Sequence, residues 1–181
     1  VWITEPYVRA VFIGRFQPFH KGHRKVVEEK MSEFEDFVVV IGSAEKSRME
    51  RNPLSTSERR TLILSCFPEI DIVEVEDVDK GEEGHQKWRE RIIAAAEPDA
   101  VISGNSLVCE IFEKYSKNVD IIQHALYRPE KYSGTRIRDK IRKNEGWRHL
   151  VPESCLESME EYEDIIRNTG KKIPQQETVY E

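Results

Sequence analysis

No stretch of this sequence holds the ~20 consecutive apolar residues that a membrane span needs. The opening VWITEPYV also lacks the basic start and long apolar segment of a secretory signal. The first residue is Val rather than Met, as in a chain whose start has been trimmed or engineered. A soluble, cytoplasmic protein is expected. Cysteine is scarce: Cys66, Cys109 and Cys155 are widely spaced, odd in number and include no CxxC pair. That argues against a zinc knot or a disulfide framework and leaves three small hydrophobes in a reduced compartment. Basic excess is missing too. With 28 Lys and Arg against 34 Asp and Glu, the net charge is −6, so no nucleic-acid partner is expected. A local positive cleft stays open, because net charge says nothing about one pocket. Neither GxxxxGK[ST] nor GxGxxG occurs. There is no internal repeat and no low-complexity block.

Five short apolar runs are present: VRAVFIG (8–14), FVVVIGS (37–43), DIVEVE (71–76), DAVISG (99–104) and VDIIQH (119–124). Several are nearly continuous Val/Ile, as expected of strands covered on both faces. Helical patterns separate them. Residues 21–34 place Val26, Val27, Met31 and Phe34 near one face. STSERRTLILSC opens with Ser55 and carries Glu58 three residues on, a capping box. Residues 84–96 carry Trp88, Ile92 and Ile93, and 105–116 carry Leu107, Val108, Ile111, Phe112 and Tyr115. The alternation predicts an α/β fold, a Rossmann-like, doubly wound, parallel five-stranded sheet. Two helices should follow: SGTRIRDKIRKN, and PESCLESMEEYEDIIRN with Pro152 near its first turn. A single domain over residues 1–168 is expected, with a frayed tail at 169–181.

The richest chemistry lies in GRFQPFHKGH, residues 14–23, between the first strand and the first helix. In a doubly wound sheet, ligands sit beyond the carboxyl ends of the strands, and a helix start offers unpaired N–H groups to phosphate. Gly14 should let a ligand approach the backbone, Pro18 stiffen the loop, and Gly22 leave room for a nucleotide. His20 and His23, three apart, share a face. Arg15 carries a permanent charge in fork geometry suited to phosphate. The stretch has no obvious nucleophile, which suits direct in-line displacement at phosphorus. Each histidine could instead be a helix cap or surface residue. A metal site would need a carboxylate that the nearby sequence does not supply.

HxGH at this turn resembles the nucleotidyltransferases that share a Rossmann-like fold with class I aminoacyl-tRNA synthetases. The longer GRFQPFHKGH is similar to the archaeal type of nicotinamide-nucleotide adenylyltransferase. IGSAEKSRMERNP, STSERR, VISGN, YSGTRIR and WRHLVPE match that family in order, over about residues 8–155. Two departures stand out: Ser57 where a glycine is expected, and DKGEEGHQKW, longer and more acidic than the family's loop there. The resemblance implies that the 5′-phosphate of nicotinamide mononucleotide (NMN) attacks the α-phosphorus of ATP, giving NAD and pyrophosphate without a covalent intermediate.

The same resemblance implies site roles. His20, His23 and Arg15 would hold ATP phosphates, with Gly14 beneath them. Arg138, last of SGTxxR, would reach the β- and γ-phosphates, with Ser133 and Thr135 cradling pyrophosphate. Ser133 and Thr135 could equally be ordinary caps, and Arg136 points elsewhere. Ser103, Gly104 and Asn105 would sit under adenine or ribose, or form a plain turn capped by Asn105. Arg51 would hold the NMN phosphate or bridge both substrates, the alternative being a solvated arginine in a charged loop, with Lys46 and Arg48 weaker candidates. Trp88 would stack on the nicotinamide ring, the alternative being a core tryptophan beside Ile92. Trp2 and Trp147 have no such support. Mg²⁺ is expected to arrive on ATP phosphates, with no protein ligand. The family likeness further implies a homo-oligomer, a hexamer being one form. A transferase of the same fold with another phosphate acceptor, or a nucleotide-binding regulator without turnover, are the alternative functions.

Overall fold

The computed structural model describes residues 8–78, 81–115, 118–123 and 127–170. Five strands, β1 (Arg9–Gly14), β2 (Asp36–Ile41), β3 (Asp71–Glu74), β4 (Ala100–Ser103) and β5 (Asp120–Gln123), alternate with helices α1 (Lys21–Met31), α2 (Thr56–Cys66), α3 (Glu82–Ala96) and α4 (Ser106–Tyr115). After β5 come α5 (Gly134–Arg142), 3₁₀ turns at Arg148–Leu150 and Glu153–Cys155, and α6 (Leu156–Asn168). All pairings are parallel and the strand order is β3-β2-β1-β4-β5. β1 lies between β2 and β4, with Val11 opposite Val38 on one side and Val101 on the other.

Side-chain alternation along each strand divides the interior into two cores. Ala10, Phe12, Val39, Ile41, Ala100 and Ile102 face α1, α2, α5 and α6. Val11, Ile13, Val38, Val40 and Val101 face Ile92 and Ala96 of α3 and Phe112 of α4. Burial on both faces explains why these strands read as unbroken Val/Ile runs. Trp147 is part of the first core, fully covered, and its indole N–H donates to Glu163 at 3.3 Å. The order reverses between β1 and β4. That switch point is where an open α/β sheet parts its loops and leaves a crevice at the strand carboxyl ends.

Several boundaries differ from the sequence expectation. The first helix stops at Met31, whose following Ser32 caps it, so Met31 is 43% exposed rather than buried. Phe34 lies beyond the helix but still packs on the core. The second strand ends at Ile41, leaving Gly42 and Ser43 to begin a loop with Ser43 at φ 48°. α3 starts two residues early, because Glu82 and Glu83 stabilise the positive end of its dipole. Much of the expected acidic loop is therefore helix; residues 79 and 80 lie outside the described residues, as do His124, Trp2 and tail residues 171–181. Pro152 precedes a 3₁₀ turn, and α6 begins only at Leu156. The described start of the tail is tied down, since Arg142 Nε donates to the Thr169 carbonyl at 3.0 Å.

Candidate active site

The turn after β1 is built by its own side chains. His20 is the N-cap of α1: the Gly22 and His23 backbone N–H groups donate to its Nδ1 at 3.1 and 3.3 Å. His23 answers, its Nδ1 accepting the His20 N–H at 3.2 Å. A capping box is thus closed with imidazoles in place of Ser and Glu. The two rings stack, with centroids 3.6 Å apart at 20°. A backbone N–H can only donate, so both Nδ1 atoms are acceptors and both rings carry their proton on Nε2. The capping reading of each histidine is met, and capping by Nδ1 leaves the Nε2–H of the same ring for another partner.

The rings are also neutral. Burial lowers His20 to about 3. Burial first, then the field of His20, holds His23 well below the ordinary histidine value. Phe16 and Phe19 enclose His23, with centroids at 4.9 and 5.5 Å. Each imidazole is therefore a neutral N–H donor rather than a cation.

The glycines also serve the packing of this turn. A Cβ on Gly14 would lie 2.8 Å from the Phe16 ring, and one on Gly22 would lie 3.0 Å from the His20 ring and 3.1 Å from Tyr132 Cβ. The protein's own side chains pack against the open faces of both glycines, which also line the cavities described below. Gly134 is the tightest case, with an added Cβ 2.6 Å from the Gln17 carbonyl oxygen.

That closeness carries α5 onto the loop. Arg138, 6% exposed, donates from Nη1 to the Gln17 carbonyl at 2.7 Å and from Nη2 to Thr135 Oγ1 at 3.3 Å. Its Nε is buried without a partner among the described residues. Burial, with Arg142, Arg15 and Arg51 nearby, lowers its guanidinium to about 10. The four arginines therefore share one positive field. Arg15 is exposed and lines the main cavity. Arg51 is exposed in the loop before α2, and Arg142 Nη2 grips the carbonyl of neighbouring Glu50 at 2.6 Å. Ser133 caps α5 through the Arg136 N–H at 3.2 Å, and Thr135 and Arg136 are exposed.

Two adjoining cavities meet at His23, Phe12 and Gly104. One, about 210 Å³, has His20, Tyr132, Ser133 and Gly134 in its wall. The other, about 1180 Å³, runs from Arg15 past Ser103 and Asn105 to Trp88. Gly104 belongs to both. The Ser103 hydroxyl accepts the Asn105 N–H at 3.1 Å, and Asn105 Oδ1 accepts the Leu107 N–H at 3.0 Å. The turn thus caps α4 and lines the cleft at once. Trp88 does likewise: it borders the large cavity while its ring meets Phe112 edge-on at 6.4 Å. Arg48 and Lys46 are already engaged. Arg48 forms a two-pronged pair with Glu58 at 2.7 and 2.6 Å, which lowers the Glu58 carboxyl, and Lys46 pairs with Asp77 at 2.5 Å. Among the described residues no three His, Cys, Asp or Glu side chains converge as a metal site.

Three residues with no role assigned from sequence organise this end. Arg59 is fully buried and donates to the carbonyls of Arg15, Gly42 and Ser43 at 3.0, 2.9 and 3.1 Å. Desolvation lowers its guanidinium to about 10. It ties the loop after β1 to the loop after β2. The Gln17 side chain bridges the Leu54 N–H and carbonyl at 2.9 and 2.8 Å. Arg142 anchors the Arg51 loop. The sequence signal was limited to their place inside matched motifs, for Gln17 and Arg59. Nothing local marks Arg142.

Comparison with known proteins agrees with this fold. The cytidylyltransferase-like family model matches residues 11–140. A nicotinamide-nucleotide adenylyltransferase of Methanococcus aeolicus is 35% identical over 85% of this chain and 89% of its own. One of Thermococcus kodakarensis is 31% identical over 88% and 86%. Among solved structures, a bifunctional NMN adenylyltransferase/ADP-ribose pyrophosphatase of Francisella tularensis superposes with a TM-score of 0.74 at 20% identity, over 89% of this chain. This chain spans 52% of that protein's length, and the likeness there is one of fold. A second structure of the same bifunctional protein, with AMP and a manganese ion, has a TM-score of 0.64 at 23% identity over 80% of this chain. By its family match and its relatives, the chain belongs to the cytidylyltransferase-like family, among the nicotinamide-nucleotide adenylyltransferases.

Proposed function

We propose that this protein joins NMN and ATP into NAD and pyrophosphate, the 5′-phosphate of NMN attacking the α-phosphorus of ATP in line. The observation that carries the reading is the pair of neutral imidazoles at the start of α1. Their Nδ1 atoms are held by the helix N–H groups, which leaves Nε2–H as the donor each ring can turn to a phosphate oxygen. Fixed donors need no reorganisation as charge develops on the transferred group. Arg15, Arg51 and Arg138 supply the positive field for both phosphate-bearing substrates. Arg138 has an unpartnered Nε to offer, with the Ser133 and Thr135 hydroxyls beside it at the α5 start. The SGN turn would seat adenosine, and Trp88 would stack on the pyridinium ring, where an indole face suits a flat cation.

The donor set at the phosphate end is cationic and imidazole rather than carboxylate. It fits a divalent ion that travels on the phosphates and keeps its waters, with no cage from this chain. Mg²⁺ is the ion proposed; when bound it offsets charge on the β- and γ-phosphates. The sequence offers no reason to prefer another phosphate acceptor, and Trp88 in the cleft favours a flat aromatic base. A homo-oligomer is part of the proposal and is read by light scattering. The test incubates the protein with Mg-ATP and NMN and measures NAD and pyrophosphate. Neither product from folded protein would overturn the assignment. His20→Ala should lose on the order of 100- to 1000-fold in kcat, the usual loss for one donor of this kind.

A further inference from the structure

A third cavity, of about 600 Å³, opens at the end of the sheet away from the histidines. Asp36 and Asp71, the first residues of β2 and β3, stand in its wall with Phe34, Phe37, Phe67 and Cys66. Cys66, the last residue of α2, is half-buried there. Its sulfur lies 3.7 Å from that of Cys155, in the 3₁₀ turn before α6, and 3.2 Å from Ser154 Oγ. Cys155 has no exposed surface, and its thiol donates to the Leu62 carbonyl at 3.3 Å. The two residues are 89 apart in sequence, so nothing local in the chain pairs them. The Cys155 proton is committed to the Leu62 carbonyl, while the Ser154 hydroxyl can donate to the Cys66 sulfur and favours its thiolate. Contact with Cys66 and burial push Cys155 up. One sulfur thus borders the cavity, and its partner is a sheltered thiol in van der Waals contact with it. Cys109 offers neither property: it is buried, its thiol is pushed up by burial, and its sulfur lies 3.8 Å from the Ser103 carbonyl.

We propose that Cys66 and Cys155 form a reversible intramolecular disulfide, Cys66 being the thiol that meets the oxidant through this cavity and Cys155 the thiol that resolves it. With hydrogen peroxide as oxidant, the Cys66 thiolate attacks one peroxide oxygen. An S–O bond forms, the O–O bond breaks, and hydroxide leaves as water after taking a proton from solvent. The sulfur is now a sulfenic acid, oxidised by two electrons. Cys155 then attacks that sulfur. The S–S bond forms as the S–O bond breaks, and the departing hydroxide takes the Cys155 proton as a second water. An exchange disulfide serves equally as oxidant, through a mixed disulfide on Cys66. The bond staples α2 to the segment before α6 on the side away from His20 and His23. The oxidised protein should therefore keep its activity and resist heat better, because closing so long a loop restricts the unfolded chain.

The test treats the reduced, full-length protein with hydrogen peroxide at pH 7.5, blocks remaining thiols by alkylation and maps the peptides. Expected is a loss of about two mass units relative to the dithiol, a cross-linked Cys66–Cys155 peptide that dithiothreitol reverses, and Cys109 untouched until unfolding. Thermal unfolding of the oxidised form should shift upward, and its NAD synthesis should be undiminished. In Cys155→Ala the Cys66 sulfenic acid should persist and be trapped by dimedone; in Cys66→Ala, Cys155 should not react. The proposal fails if folded wild type instead carries sulfinic acid on Cys66, links between chains, or keeps both thiols free under peroxide. The wild-type peptide map decides alone should either variant not fold. It is independent of whether NAD is made.

Discussion

Taking the protein from pH 7.5 to pH 5.0 should weaken it through His20 and His23, by an amount set mainly by the unfolded chain. Burial holds His20 at about 3 and His23 well below its ordinary value, so at pH 5 both rings stay neutral in the fold. In the unfolded chain each titrates near 6.5. Between the two values the unfolded state binds more protons, so unfolding free energy falls as pH drops through that window. At pH 5, about 1.5 pH units below 6.5 and at about 1.36 kcal/mol per unit, each ring contributes about 2 kcal/mol, or about 4 for the pair. The figure hardly depends on how far below 5 the native values lie. At pH 7.5 the same contribution is close to zero. Other groups titrate over this range, so the measurement is a comparison: urea unfolding of wild type and of His20→Asn/His23→Asn, each at both pH values. Asn keeps a short side-chain oxygen that can accept a helix-start N–H, which preserves a cap while removing the titration. Wild type should lose about 4 kcal/mol more than the double variant. Equal losses would refute neutral imidazoles in the fold, and the Nε2–H donors would have to be imidazolium instead.

Gly134→Ala should destabilise by about 1–3 kcal/mol despite the better helix former, because the new methyl overlaps the Gln17 carbonyl at 2.6 Å; it should also lower kcat by parting Arg138 from the loop, read by urea unfolding and NAD formation. Arg59→Met should cost at least about 3 kcal/mol, since the buried carbonyls of Arg15, Gly42 and Ser43 lose their donor at about 1–3 kcal/mol each. Its kcat should fall further than KM rises, a split that a purely structural loss with intact sites would not give. Trp88→Ala should raise KM for NMN roughly tenfold, as expected of about 1–2 kcal/mol of lost stacking, and leave KM for ATP nearly unchanged; an equal rise for both substrates would return Trp88 to a packing role.

The architecture was readable because each strand repeats one physical rule. Val38 to Ile41 are buried whichever face they point to, and that burial on both sides writes itself as an unbroken apolar run. The capping box at Ser55 and Glu58 was readable for a similar reason: a local rule, three residues long, settles it. The sequence brought candidate residues together by type and spacing, but did not show their wiring. His20 and His23 stand out by type and spacing, yet their proton positions follow from N–H groups folded against them, and their neutrality from Phe16 and Phe19 around them. Arg142 was silent because its partners, Glu50, Ile166 and Thr169, are distant in sequence. The packing role of Gly14 and Gly22 was hidden for the complementary reason. A missing side chain reads as space, and only the folded chain shows which neighbouring rings pack against it. A common constraint lies behind these cases. At this strand-to-helix turn each histidine holds the backbone with Nδ1 and keeps Nε2–H for another partner, whereas Gln17 gives both its polar atoms to Leu54. Motif and residue type identify such a group, whereas the division of its atoms between the two tasks is set by contacts made across the whole chain.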